Sequence, residues 1–220
     1  MTDKKQNSGI LVISRHGESE WNLLGKWTGH TDVSITPKGE ADSQKVGELL
    51  SGYHFDAAYT SDLKRTIETL NGHLKTMGHA AGDIPHIISP ALKERDYGEL
   101  TGMDKWEVKN RLGEAEFNGI RRGWDHPVPG GETLKDVYNR AAPYFDSEIL
   151  PRLQAGENIL LVSHGNTIRA LMKHLEDINE DDMANVEMPF GTVLIYHFSP
   201  DQAKPIQKEV LKADITQTHA

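Results

Sequence analysis

Ile10-Leu11-Val12-Ile13-Ser14-Arg15-His16-Gly17 and Ile159-Leu160-Leu161-Val162-Ser163-His164-Gly165-Asn166 decide the fold of this chain. Each is a short apolar run that ends in polar residues, a histidine and a glycine. Runs of this length, bounded in this way, read as parallel strands buried on both faces. In an open α/β sheet the carboxyl ends of the strands form the crevice where ligands bind. Two such strands, far apart in sequence, deliver His16 and His164 to one rim. Arg15 arrives with the first.

Working outward, strand patterns recur at 55–59, 84–89 and 192–198. Thr36-Pro37 opens a helix, with Thr as N-cap and Pro in the first helical position. That helix carries Ala41, Val46, Leu49 and Leu50 and stops near Gly52. Thr60 or Ser61 caps a second helix, marked by Leu63, Ile67, Leu70 and Leu74 at helical spacing. The stretch 90–131 is the least regular; it holds a helix near 103–112 and ends in the turn cluster Pro127-Val128-Pro129-Gly130-Gly131. A long helix is predicted from about 132 to 153, with Pro143 as its kink, and another from 167 to 175. Strands alternating with helices predict an α/β protein, a three-layer α/β/α sandwich with a mostly parallel sheet. Residues 1–8 read as a flexible lead, 9–200 as one catalytic domain, and 201–220 as a polar tail to which the pattern assigns no element.

The bulk numbers narrow the partners. With 220 residues and a net charge of -9, non-specific binding to nucleic acid or to an anionic membrane is disfavoured. An anionic substrate must therefore be drawn in by a local basic cluster. There are no cysteines, which excludes disulfide and thiol chemistry and fits the cytoplasm. The polar start lacks the apolar core of a secretory signal, and no apolar run approaches the ~20 residues of a bilayer span.

One rim histidine reads as a capped strand end; two, each followed by glycine, point to chemistry. A neutral imidazole nitrogen is a competent nucleophile. A transferring phosphoryl group spreads charge over three oxygens and needs donors around it, and Arg15 is placed to be one. Arg65, in the first turns of a helix that begins at a strand end, is a second, because guanidinium binds phosphate bidentately. Transfer to and from an alcohol also needs a group that trades the hydroxyl proton. Glu94 is the candidate, with Asp96 and Glu99 as competitors. Arg121-Arg122, with Lys105 upstream, either forms a solvated basic spot or holds a second anion. His73, His79 and His86 lack metal-ligand spacing, and no phosphate-binding Gly-x-x-x-x-Gly-Lys-Ser/Thr loop is present. Met183 and Met188 read as packing residues.

Arg15-His16-Gly17-Glu18-Ser19-Glu20-Trp21-Asn22 resembles the signature of the histidine phosphatase superfamily, in the form of its cofactor-dependent phosphoglycerate mutase branch. The likeness continues through Trp27 to Asp32, Thr60 to Thr66, Glu94 to Gly102, Lys105, Arg121-Arg122, Gly130 to Leu134 and Ser163 to Leu171. It implies a phosphoglycerate mutase-like fold and the interconversion of 2- and 3-phosphoglycerate, in glycolysis and gluconeogenesis, through a phosphohistidine. It implies priming by 2,3-bisphosphoglycerate and no metal. By this resemblance His16 is the residue phosphorylated, His164 stabilises the phosphoryl group and Glu94 donates and accepts the proton. Arg15, Arg65 and Asn22 line the phosphoryl pocket. Thr28, Gly29, Arg95, Tyr97, Lys105, Arg121, Arg122, Gly165 and Asn166 hold the rest of the substrate. The assembly is a monomer or a homodimer. The sequence departs from the family pattern at His30 and Asp96 and has a short loop between Arg122 and Glu132. The alternatives are a histidine-type phosphomonoesterase acting on a small phosphorylated metabolite, and a non-catalytic phospho-ligand module. Lys105 with the Arg pair favours the mutase over the first, and retention of His16, His164 and Glu94 disfavours the second.

Overall fold

The computed structural model describes residues 8–80 and 82–216; most of the expected lead, 1–8, lies outside them. The elements run β1 (Gly9–Arg15), α1 (Glu20–Leu23), α2 (Pro37–Leu50), β2 (Ala57–Thr60), α3 (Lys64–Thr76), β3 (His86–Ile88), α4 (Lys105–Leu112), α5 (Glu114–Arg122) and α6 (Leu134–Tyr144). They continue with α7 (Leu150–Gln154), β4 (Asn158–Ser163), α8 (Gly165–Glu176), β5 (Thr192–Phe198) and β6 (Gln207–Lys212). The sheet order is β3-β2-β4-β1-β5-β6. The first four strands are mutually parallel, and β5 and β6 run antiparallel at one edge.

Strand side chains alternate between faces, and the core divides accordingly. Leu11, Ile13, Tyr59, Ile159, Leu161 and Tyr196 meet Ala141 and Phe145 near the end of α6, Leu153 of α7 and Ile168 and Leu171 of α8. Val12, Ala58, Leu160, Val162 and Ile195 meet Val46 and Leu50 of α2 and Leu70 and Leu74 of α3. Both faces of the central strands are thus covered, as their unbroken apolar runs require, and three layers result. A smaller cluster, Trp27, Tyr97, Leu100, Val108, Phe117 and Ile120, packs α4 and α5.

Three local expectations change. The helix after β2 begins at Lys64, and neither Thr60 nor Ser61 is its N-cap; the cap position is Leu63, without a side-chain bond. Ser61 Oγ instead accepts from the Leu63 N–H. The long helix is not simply kinked at Pro143: it widens into a π turn at Phe145–Ile149 before α7. Pro151 has no N–H for the Ser147 carbonyl and would crowd it in a regular helix, and the wider turn relieves that contact. The polar stretch after Pro200 supplies edge strand β6, which pairs with β5 alone and leaves Gln207, Lys208, Val210 and Lys212 exposed. Among the described residues, no helix is long and apolar enough to cross a membrane.

His73 ties three elements together. Its Nδ1–H donates to the Ser43 carbonyl at 2.7 Å, and its Nε2 accepts from Ser14 Oγ at 2.9 Å. Burial pushes its pKa from 6.5 down to about 4. The unfolded chain therefore takes up a proton in a range where the native state does not. The His73 contribution is intact above pH ~6.5 and is lost as pH falls toward ~4, by roughly 3 kcal/mol. Urea melts at pH 7 and pH 4.5 should show a smaller pH-dependent loss in His73→Asn than in the unaltered chain. Equal losses would remove His73 as the cause.

Candidate active site

The register between β1 and β4 builds the site. Arg15 is paired with Ser163, and the His16 N–H donates to the Ser163 carbonyl at 2.9 Å. The next residue of each strand is a histidine. The two rings meet edge to face with centroids 5.1 Å apart. Both are buried; His16 lines a cavity of about 230 Å³ at the carboxyl ends of the parallel strands, and His164 sits behind it, outside the lining. Gly17 admits the N-terminus of α2: a Cβ there would lie 2.5 Å from the Gly39 carbonyl oxygen. Its smallness serves packing against α2, whereas Gly165 lines the cavity.

The hydrogen bonds fix the tautomers. His16 Nδ1 lies 2.7 Å from the Gly17 carbonyl, which only accepts, so Nδ1 carries the proton and Nε2 keeps its lone pair. Burial, with Arg65 and Arg15 nearby, holds the His16 pKa well below its ordinary value. His16 is therefore neutral with a free nitrogen. His164 has the opposite arrangement. Its Nδ1 accepts from Arg65 Nε at 3.2 Å, so Nε2 carries the proton, 2.8 Å from Ser61 Oγ. Ser61 Oγ in turn lies 3.0 Å from Thr66 Oγ1, which donates to the Leu63 carbonyl. Ser61, read from sequence as a cap, is thus the partner of His164.

Neutral acceptors hold the cations. Arg65 donates to the Thr31 and Gly29 carbonyls, each at 2.9 Å, and Arg15 to the Met188 carbonyl at 3.1 Å. Burial lowers both guanidinium pKa values to about 10, which leaves them charged at neutral pH. Asn22 Oδ1 accepts from Ser19 N and Ser19 Oγ, which sets its amide orientation and leaves Nδ2 as the donor on the cavity wall. Thr28 Oγ1 is buried without a partner in the same wall.

Glu94 prevails over its competitors by position: it lines the cavity, and Asp96 and Glu99 do not. Its Oε1 accepts from the backbone N–H of Arg95 at 2.8 Å and of Asn166 at 3.2 Å, leaving Oε2 for a proton. His30 Nε2 and Arg140 Nη2 both donate to the Glu94 carbonyl, at 2.8 and 2.9 Å. The Asp96 carboxylate turns back to accept from Gly98 N at 2.9 Å. The two departures from the family pattern therefore brace the backbone around Glu94.

Lys105, Arg121 and Arg122 reach the cavity, with Thr28, Gly29, Tyr97, Gly165 and Asn166. Tyr97 OH accepts from Asn166 Nδ2 at 2.9 Å. Arg122 is paired with Glu187 at 2.6 Å. Arg95 is a correction: it is fully buried and lies outside the cavity lining. Its Nη2 donates to the Ile120 carbonyl, and its guanidinium lies over Tyr97, so it supports the end of α5 instead of meeting ligand. Sequence reasoning missed Lys26, Arg169 and the segment 187–190. Arg169 had a signal, since it follows Gly165 by four residues on one helix face.

His16, Glu94 and His164 place ligand atoms within 4.8 Å of one another. Both ring nitrogens of His164 are engaged, however, and Arg15 and Arg65 flank the cluster. That donor set and charge suit an anion better than a cation.

The family model described as "Histidine phosphatase superfamily (branch 1)" matches residues 11–208. This chain belongs to that superfamily. It is 46% identical over 190 residues to a 2,3-bisphosphoglycerate-dependent phosphoglycerate mutase of Cytophaga hutchinsonii, covering 86% of this chain and 88% of the relative. It is 40% identical over 210 residues to one of Methylorubrum extorquens (strain PA1), covering 94% and 98%. Among solved structures, the alpha-ribazole phosphatase of Shigella flexneri superposes with a TM-score of 0.73 at 22% identity, over 93% of this chain and 96% of that one. At that identity the superposition speaks for the fold alone.

If this superfamily site is an anion site, inorganic phosphate should bind by calorimetry. Arg65→Gln should weaken it by about tenfold or more, the size of one charge-assisted bond. Unchanged affinity would move the anion elsewhere.

Proposed function

We propose that the chain interconverts 3-phosphoglycerate and 2-phosphoglycerate through a phosphohistidine at His16, with 2,3-bisphosphoglycerate as primer. The carrying observation is the neutral, lone-pair-bearing Nε2 of His16 among guanidinium groups that backbone carbonyls hold in place. The curated relatives named as such mutases support the reading. So does the second basic cluster, Lys105 with Arg121 and Arg122, which a simple phosphatase does not require.

The residues act as follows. Arg15, Arg65 and Asn22 Nδ2 hold the phosphoryl oxygens, and Lys105, Arg121 and Arg122 hold the remaining anionic groups. His16 Nε2 attacks phosphorus; the N–P bond forms as the P–O ester bond breaks. Glu94, protonated on Oε2, gives its proton to the departing ester oxygen. In the return step Glu94 takes a proton from the other hydroxyl, that oxygen bonds to phosphorus, and the N–P electron pair returns to Nε2. His16 Nδ1 keeps its proton, held on the Gly17 carbonyl, throughout. His164 stays neutral: its Nδ1 accepts from Arg65 Nε and so orients that guanidinium, which stabilises the transferring group. The orphaned Thr28 Oγ1 and the basic rim fit a doubly phosphorylated primer, which supplies the phosphoryl group that first charges His16. As a turnover of glycolytic metabolites, this reading places the protein in the cytoplasm.

A coupled assay from 3- to 2-phosphoglycerate in EDTA should show turnover stimulated by trace 2,3-bisphosphoglycerate. His16→Ala should lose both turnover and acid-labile phosphate incorporation, and full activity in that variant would sink the proposal.

Burial beside Arg121 and Arg15 lowers the Lys105 pKa to about 8. Its charge is therefore lost as pH rises through ~8, well below the range of an ordinary lysine. The profile of kcat/KM, which reports the free enzyme, should fall there. Lys105→Arg should carry the fall to higher pH, and an unmoved profile would assign it to another group.

A further inference from the structure

Phe190 is a wall of the site that neither the sequence reading nor the mechanism above uses. Its ring is buried, lines the cavity and stands edge-on to His16, with centroids 6.1 Å apart. The Arg15 guanidinium carbon sits 3.9 Å from its centroid. Gly165 also bounds that guanidinium: a Cβ built there would lie 3.6 Å from both Arg15 Cζ and Nε. Met188, two residues before Phe190, holds Arg15 through its carbonyl. The turn after Phe190 is braced in its turn. Gly191 has a φ of +70°, its carbonyl accepts from Ala213 N at 2.9 Å, and Ile215 packs against its Cα.

We propose that Phe190 is a specificity-determining residue: it keeps water off the phosphohistidine and so favours a phosphoglycerate hydroxyl over water as acceptor. The proposal rests on the mutase reading above. Water and the substrate hydroxyl compete for one phosphorus atom. Either oxygen forms its bond to phosphorus as the N–P bond breaks; the electron pair returns to His16 Nε2 and the acceptor's proton goes to Glu94. A mutase and a phosphatase therefore differ in which oxygen is admitted. An ordered water needs two to four polar partners. Arg15, Arg65 and Glu94 offer such partners on the other walls, and the Phe190 ring withholds them beside His16. It also covers one face of Arg15, limiting the routes by which water reaches that guanidinium. The substrate hydroxyl needs no such partners from this wall, because the basic rim already holds its carrier.

Phe190→Ser and Phe190→Leu test this. The readouts are the lifetime of the acid-labile phosphoenzyme and, for the ratio of products, phosphate release from 2,3-bisphosphoglycerate against mutase turnover. Phe190→Ser supplies a polar partner and opens space; it should shorten the lifetime and raise the ratio by about tenfold. Phe190→Leu keeps an apolar wall and should stay within about threefold of the unaltered chain on both. A serine variant with unchanged lifetime and ratio would overturn the proposal. So would a leucine variant that loses as much as the serine one. Lifetime is also measured on enzyme charged with p-nitrophenyl phosphate. A wild-type chain that forms phosphoenzyme without isomerising phosphoglycerate would refute the mutase reading, while the serine and leucine lifetimes would still decide the role of Phe190.

Discussion

Everything at the rim depends on one register. Because Arg15 is paired with Ser163 in the β1–β4 ladder, the chain leaves both strands at the same level. His16 and His164 then face each other without any loop having to place them. A slip of one residue would turn every strand side chain to the other face. Leu11, Ile13, Ile159 and Leu161 would exchange layers with Val12, Leu160 and Val162, so the two cores guard the register. The packing of the sandwich and the geometry of the histidines are the same constraint seen at different distances.

The second theme is charge placed by neutral acceptors. Arg15 and Arg65 are placed by carbonyls, an aromatic ring and an imidazole nitrogen rather than by carboxylates. A carboxylate partner would anchor them more firmly but would occupy the position a phosphoryl group must take. Carbonyl dipoles orient the guanidinium groups without occupying that position, and such preorganised charge acts on a transition state without further rearrangement. Burial, reinforced by the same field, keeps His16 neutral, so the groups that bind the phosphoryl oxygens also help keep the attacking nitrogen available.

How much of this was legible in the sequence follows from the range of the interactions. The strands, the layer order and the helix start at Thr36-Pro37 rest on local pattern and were readable. Glu94 was not separable from Asp96 and Glu99, because the choice is made by the N–H groups of Arg95 and Asn166, the latter 72 residues away. Arg95 looked like a ligand-binding arginine, yet its direction is set by the end of α5. Ser61 looked like a cap because its true partner, His164, lies 103 residues on. Phe190 and the strand after Pro200 gave no pattern at all. One is defined by a ring standing over Arg15, the other by hydrogen bonds to an edge whose side chains need not be apolar.

The sheet order also governs how the molecule comes into being. β4 is inserted between β2 and β1, so the two strands made first never pair with each other and are joined only through a segment that begins at residue 158. Contacts of such high sequence separation form slowly, since the loop must close before pairing rewards it. An emerging N-terminal portion carries His16 and Arg65 but has no central strand to hold them together. Its apolar β1 and β2 stay open on the sides that β4 will fill, which is the exposure that invites misassociation during synthesis. Competence for chemistry and escape from that hazard thus arrive in the same folding step, when residues 158–163 slide into place.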